Sequence, residues 1–141
     1  MKAATAKKKS TARQSANGAL AQHPVSRIEA GLKYRELEKL REDLGLPLEK
    51  LSETLGISRA TLHRRKLAGR LAPDESDRVV RFERLVEKAE RVLGNRDNAR
   101  QWLNYPQYGL GGAIPLQYAR TEAGAREVEH LLGRIEWGIP T

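Results

Sequence analysis

The stretch Leu48-Glu-Lys-Leu-Ser-Glu-Thr-Leu-Gly56-Ile57-Ser58-Arg-Ala-Thr-Leu62 decides how the chain folds. Pro47 opens a short helix through Leu55, since proline is tolerated in a first helical turn. Gly56 ends that helix, and Ser58 is an N-cap for another reaching about Leu67, with Gly69 beyond it. Two helices joined this closely cross at roughly 90–120° through a turn of three or four residues. The crossing needs a small residue where the helices touch, which Ser52 supplies, and a left-handed residue in the turn, which is Gly56. It also needs apolar anchors from both helices, here Leu51, Leu55, Ile57 and Leu62. The requirements are met in order, so the stretch reads as a helix-turn-helix.

Charge provides a second test. From Ile57 to Pro73 the chain carries Arg59, Arg64, Arg65, Lys66 and Arg70 and no acid. The outward positions of the second helix are Arg59, Ala60, His63 and Arg64, followed by Arg65 and Lys66. Arginine on such a helix grips guanine bidentately, flanking cations hold phosphates, and the Ser58 and Thr61 hydroxyls add backbone contacts. A basic helix that is merely solvated is the plainer alternative. Spacing and charge together favour DNA, read through Ser58, Arg59, Ala60, Thr61, His63, Arg64, Arg65 and Lys66.

Working outward, apolar spacing predicts a helix from Ile28 to Leu44, stopped by Gly45. Residues 1–26 are rich in Ala, Lys, Ser, Thr and Gln and are expected to be a disordered basic arm, whether for nucleic acid or for solubility. Downstream, Pro73 leads into a long helix to Leu93 whose Val79, Phe82, Val86, Ala89 and Leu93 form a heptad-like stripe. That stripe suits either a dimer seam or the internal core. Gly94-Asn95 marks a boundary between a DNA-binding domain (27–94) and a C-terminal domain (95–141). The latter is expected to hold a short helix to Leu103, an irregular segment from Tyr105 to Pro115, a turn of helix at Leu116–Ala119, and a helix from the N-cap Thr121 to about Trp137. No alternating stretch is long enough for a strand, so the expected fold class is all-α.

The 141 residues hold 26 Lys and Arg against 18 acids, a net charge of +8, unevenly distributed. Met1 to Ile28 carries six basic residues and no acid, whereas Asn95 onward has five of each sign. One half suits a polyanion and the other something else. With zero cysteines, disulfides, thiol catalysis and Cys-ligated zinc are excluded. No stretch approaches the roughly 18 apolar residues of a membrane span, and no apolar run follows the N-terminal lysines, so a cytoplasmic protein is expected. His23, His63 and His130 are scattered, and no paired carboxylates, metal motif or phosphate-cradling loop stands out. The reading is no enzyme, no catalytic residue, no metal and no cofactor.

The C-terminal third concentrates five of the seven aromatics, namely Trp102, Tyr105, Tyr108, Tyr118 and Trp137. Leu110-Gly111-Gly112 makes a tight loop, and Gly124 costs stability in a helical first turn, as residues kept for close packing do. Trp102, Leu103 and the Val128 stripe read more simply as a small core. The motif Trp102-Leu103, Pro106, Leu110-Gly111-Gly112, Pro115-Leu116, Thr121, Gly124, Val128, Leu131, Arg134 and Gly138 resembles the C-terminal toxin-binding domain of bacterial Xre/MbcA/ParS-type antitoxins, particularly the Xre partners of RES toxins. Glu75-Ser76-Asp77-Arg78 followed by Arg81 resembles that family's lead into its long helix. The resemblance spans roughly Lys33 to Pro140. It implies an antitoxin that blocks an NAD-degrading RES-type toxin and represses its own operon at operator DNA. It further implies toxin contact through Leu110, Gly111, Gly112, Thr121, Gly124, Arg134 and Gly138, with Arg120 and Trp137 as neighbours able to reach the partner. The rival is a stand-alone regulator whose C-terminal domain only dimerises or senses a ligand. A homodimer or larger assembly is expected on either reading, because one helix-turn-helix reads few base pairs.

The arm carries a prediction of its own. Removing it should flatten the slope of log affinity against log salt for DNA while leaving sequence preference unchanged, because its cations release counterions without reading bases. Anisotropy titrations over a salt series measure this, and an identical slope would make the arm a mere tail.

Overall fold

The helix expected from Ile28 to Leu44 is two helices in the computed structural model, which describes residues 23–139. Helix α1 spans Pro24–Ala30 and α2 spans Tyr34–Leu44, with Gly31 between them at φ +81°. A Cβ on Gly31 would lie 2.3 Å from the Leu71 carbonyl oxygen, so only glycine permits the chain to cross there. The interrupted backbone finds other partners. Leu71 N–H donates to Leu32 O at 2.8 Å, Tyr34 N–H donates to Gly69 O at 3.0 Å, and the Ser76 hydroxyl accepts from Leu32 N at 2.8 Å. Lys33 and Arg70 thus form an isolated antiparallel bridge, and no strand occurs among the described residues.

Because α1 begins at Pro24, the last residues assigned to the arm are helical, and a truncation that respects the fold ends at Gln22. The rest of the expected arm lies outside the described residues.

The next elements follow the sequence closely. Helix α3 spans Leu48–Leu55 and α4 spans Arg59–Ala68, with Gly56 left-handed between them at φ +64°. The Ser52 hydroxyl donates to Ile57 O inside the crossing, while Leu51, Leu55, Ile57 and Leu62 are all buried. Small size and an internal hydrogen bond both suit Ser52 to that contact.

Helix α5, Pro73–Leu93, is 21 residues and so about 31 Å long. Proline enters it at a position needing no N–H, and the Glu75 side chain reaches back to accept from Ala72 N at 2.8 Å. Val79, Phe82, Val86 and Ala89 are buried within the chain, with Leu93 partly buried against the same core. The stripe is therefore internal core and is not available as a dimer seam. Truncating the fully enclosed Phe82 would cost about 3–5 kcal/mol.

Beyond Gly94, α6 spans Arg96–Leu103, a single 3-10 turn covers Tyr108–Leu110, α7 spans Pro115–Tyr118 and α8 spans Glu122–Glu136. Asn95 caps α6 and Thr121 caps α8 through side-chain oxygens that accept from Asn98 N and Gly124 N. Val128 and Leu132 of α8 join Leu37, Leu40, Val79 and Phe82 in one continuous hydrophobic cluster. Ile135, on the same helix, is only half-buried. Arg100 of α6 donates to the Glu42 carbonyl at 2.8 Å, and Asn104 donates to the Leu44 carbonyl at 3.1 Å. These satisfy the open carbonyls at the end of α2.

Glu83 on α5 sits 3.5 Å from Arg27 of α1, which also approaches Glu36 at 3.8 Å. Burial pushes the Glu83 carboxyl above the ordinary carboxylate range; Arg27 opposes this, and the Glu36 and Glu87 charges add to it. A carboxyl raised in the folded state binds its proton more tightly there than in the unfolded chain. Its contribution to stability is full below the ordinary value and is lost as pH rises through the folded value. The unfolding temperature should therefore fall with pH just above the usual glutamate pKa of about 4.3. Glu83→Gln should flatten that segment in thermal melts taken across the range. An unchanged profile in the variant would remove Glu83 as the cause.

Candidate nucleic-acid and protein interfaces

The outward face of α4 is built by its cap, by one ion pair and by a hydrogen bond from Arg64 to the cap. Ser58 Oγ accepts from Thr61 N at 3.2 Å and donates to Thr61 Oγ1 at 2.9 Å. Thr61 Oγ1 also accepts from Arg64 Nη2 at 3.1 Å, which steadies that guanidinium over the first turn. Arg59 Nη1 lies 2.8 Å from Glu49 Oε1 of α3. Arg59, Ala60, His63, Arg64 and Lys66 are all exposed, as the sequence reading places them. Ser58 and Thr61 are occupied with each other and with the cap, so their hydroxyls organise the face as well as bordering it.

Arg65 departs from the expectation. Its Nε and Nη2 donate to the two carboxylate oxygens of Glu75 at 2.7 and 3.2 Å, and Glu75 is 5% exposed. The guanidinium is committed to the protein, locking α4 against the start of α5. Its pKa is raised by that hydrogen bond and charge. Arg78 of α5 reinforces the same joint by donating to the carbonyls of Leu55 and Gly56, at 3.2 and 3.3 Å, where α3 ends.

Sequence reasoning passed over Lys33 and Arg35 on this side and named Arg70 only as part of the acid-free window. Lys33, Arg35 and Arg70 line one concavity beside the α4 C-terminus, and none has a carboxylate partner among the described residues. Arg70 Nη1 donates instead to the Gly31 carbonyl at 2.7 Å. Lys33 and Arg70 are brought together by the Gly31 break, which the sequence reading did not foresee.

In the C-terminal region the residues singled out divide into two groups. Gly111, Gly112, Arg120, Trp137 and Gly138 are exposed, and a Cβ added at Gly111, Gly112 or Gly138 would meet nothing within 4 Å. Those three glycines serve left-handed backbone, with φ of +67°, +87° and +68°. Gly124 is the opposite case. It is buried, and a Cβ there would lie 1.7 Å from the Tyr118 carbonyl oxygen, so its close approach is internal, between α7 and α8. Thr121 is the cap of α8, Leu110 packs against the core, and Arg134 is half-buried with its Nε enclosed and lacking a partner among the described residues.

Large apolar side chains are exposed around these positions. Tyr105, Tyr108 and Trp137 are 71%, 89% and 80% exposed, with Ile139 and Tyr118 also open to solvent. An open concavity of about 730 Å³ runs beside Trp102 and Tyr105, floored by Leu93 and edged by Asn98, Gln101, Asn104 and Gln107. Isolated exposed apolars are ordinary, but Tyr105 and Tyr108 lie three residues apart and border this concavity's segment. Among the described residues no cluster of His, Asp or Glu is placed to hold a metal, and no helix is long and apolar enough to cross a membrane.

Comparison with known proteins finds two matched regions. The family described as "Antitoxin Xre-like helix-turn-helix domain" matches residues 23–84, and "Antitoxin Xre/MbcA/ParS C-terminal toxin-binding domain" matches residues 88–138. Together they define the class, an antitoxin that joins a helix-turn-helix domain to a toxin-binding one. An Antitoxin Xre of Yersinia enterocolitica is 33% identical over 117 residues, covering 82% of this chain and 79% of that protein. One from Photorhabdus laumondii is 43% identical over 72 residues, covering 50% and 49%, and one from Pseudomonas putida 37% over 68, covering 48% and 43%. The chain belongs to the Xre antitoxin family. Its two matched regions meet inside α5, between residues 84 and 88.

Arg59 and Arg64 on one side, and the Glu75 that holds Arg65 on the other, should consequently behave in opposite ways. Arg59→Ala or Arg64→Ala should cost roughly 1–3 kcal/mol of specific binding to the chain's own promoter with no change in melting temperature. Glu75→Ala should cost about 2 kcal/mol of stability, since it removes a charged hydrogen-bond acceptor and a helix cap together. Mobility shifts and denaturant titrations separate the two outcomes.

Proposed function

We propose that the protein blocks a RES-type, NAD-degrading toxin and represses its own operon by binding promoter DNA. What supports this reading is the division of its surface. The exposed cations of α4 lie in the helix-turn-helix, and the exposed aromatics lie in the region matched by the toxin-binding domain. Arg59, His63 and Arg64 face the major groove, while Lys66, Lys33, Arg35 and Arg70 hold phosphates on its flank. Tyr105, Tyr108 and Trp137, with Arg120 and the Gly111-Gly112 turn, cover the toxin. Arg120 pairs with acidic groups at the toxin's nucleotide-handling cleft. Leu110, Thr121, Gly124 and Arg134 hold this surface in shape from beneath.

The acting species is a homodimer or a larger assembly, because half-sites about 34–36 Å apart are needed for a useful recognition length. Its seam lies outside the buried stripe of α5. The functional division at residues 94–95 concerns surfaces, since α8 packs on α5 and the two halves share their core.

The test uses the full chain. Tyr108→Ala with Trp137→Ala should abolish protection against the co-expressed toxin, read as growth and cellular NAD, while repression of a promoter reporter persists. Arg59→Ala with Arg64→Ala should do the reverse. If the aromatic variant still protects, the surface assignment is wrong. If the wild-type chain neither protects nor co-purifies with the toxin, the stand-alone regulator is the better description.

A further inference from the structure

The ion pair between Glu49 and Arg59 stands at a place where a carboxylate is costly. Arg59 is the first residue of α4, and Glu49 reaches it from α3 across the turn at 2.8 Å. The side chains are 73% and 65% exposed, and pairs so open to water contribute little to stability. A negative charge on a face that meets phosphates weakens binding to any DNA. The stretch from Ile57 to Pro73 avoids acids altogether, and of the two carboxylates set against the recognition helix from outside, Glu75 is buried under Arg65 whereas Glu49 stands open to solvent.

The geometry offers a use for it. Among the described residues Glu49 Oε1 accepts from Arg59 Nη1 alone, which leaves Nε and Nη2 of the guanidinium without a partner there. Those two donors match the paired O6 and N7 acceptors of guanine, and a carboxylate oxygen accepts from the N4 amino group of cytosine. An arginine tethered at one nitrogen has fewer conformations in which to reach a phosphate, and it loses less freedom on engaging a base. Among the described residues Arg64 has only the neutral Thr61 hydroxyl as a partner, so no carboxylate there restrains its charge in this way.

We infer that Glu49 is a positioning residue that determines sequence specificity: it aims Arg59 at guanine and holds it away from the phosphate backbone. The inference rests on the proposed reading of DNA through α4, and it adds a residue outside the recognition helix to that reading. Glu49 stabilises the right complex little and penalises the wrong ones, which is how a specificity ratio is raised when attraction to phosphate is indiscriminate.

The experiment titrates the full chain and its Glu49→Ala, Glu49→Gln, Arg59→Ala and doubly substituted variants against the native promoter duplex and a scrambled duplex of equal length. Both are followed over a salt series, with thermal melts as the check on folding. Glu49→Ala should bind the scrambled duplex several-fold more tightly and lower the promoter-to-scrambled ratio about tenfold. Its salt slope on scrambled DNA should steepen by about one as Arg59 takes a phosphate. Glu49→Gln, which keeps an acceptor for Nη1 and loses the charge, should retain an intermediate ratio. In the Arg59→Ala background, the Glu49 substitution should leave the ratio where Arg59→Ala alone put it. An unchanged ratio in Glu49→Ala, or an equal fall with and without Arg59, overturns the inference while the reading of DNA through α4 stands. Arg59→Ala with an undiminished ratio overturns the base-reading assignment and the pairing with it.

Discussion

A buried carboxylate, Glu75, fixes the relation between the recognition helix and everything behind it. A charge enclosed to this degree is tolerated only when its oxygens are fully engaged. Here they accept from Arg65 of α4 and from the backbone N–H of Ala72, at the residue where α5 begins. The interaction thus spans the α4–α5 loop and starts the long helix in the same act. Ser76, next in sequence and fully buried, donates to the Ala72 carbonyl and accepts from Leu32 N, binding the α1–α2 crossing to the same point. Two adjacent polar side chains therefore assemble four segments of chain.

From that anchor α5 carries information in both directions along its arginines. Arg78 holds the turn of the helix-turn-helix. One turn on, Arg81 donates to the Arg120 carbonyl and to Glu122, both at 3.0 Å, and so pins the α7–α8 junction. Arg84 extends this network to Glu122 and Glu129. The lead into α5 that resembles the antitoxin family in sequence is, physically, a row of brackets serving two surfaces. Partly exposed pairs of this kind add modest stability singly, but linked through Glu122 they fix the angle of α8.

Much of the fold was legible because it rests on local backbone chemistry. Gly45, Gly56 and Gly94 end helices, Ser58, Asn95 and Thr121 cap them, and each can be read from a few neighbouring residues. Gly31 was overlooked because Ile28 and Leu32 continue the apolar spacing through it, although a glycine inside a helix costs about 1 kcal/mol and was itself a signal. The candidate sites were harder. Arg59 and Arg65 look alike in sequence, and their separation depends on Glu75, ten residues from Arg65 across a loop. Gly124 was rightly read as a point of close approach, yet sequence cannot say whether the approaching backbone is the chain's own. Its neighbour proved to be the Tyr118 carbonyl, while the exposed Tyr108 lay in an irregular segment with no periodicity to announce its exposure.

The shared core has a consequence for how the molecule can come apart. Helix α5 is packed by α1 and α2 of the helix-turn-helix domain and by α6 and α8 of the C-terminal region, within one hydrophobic cluster, so neither set can leave without uncovering the other's support. A small protein organised in this way opens as one cooperative unit. A protease that catches the chain open therefore destroys both surfaces in a single event. Its abundance, rather than any partial damage, sets both grips at once.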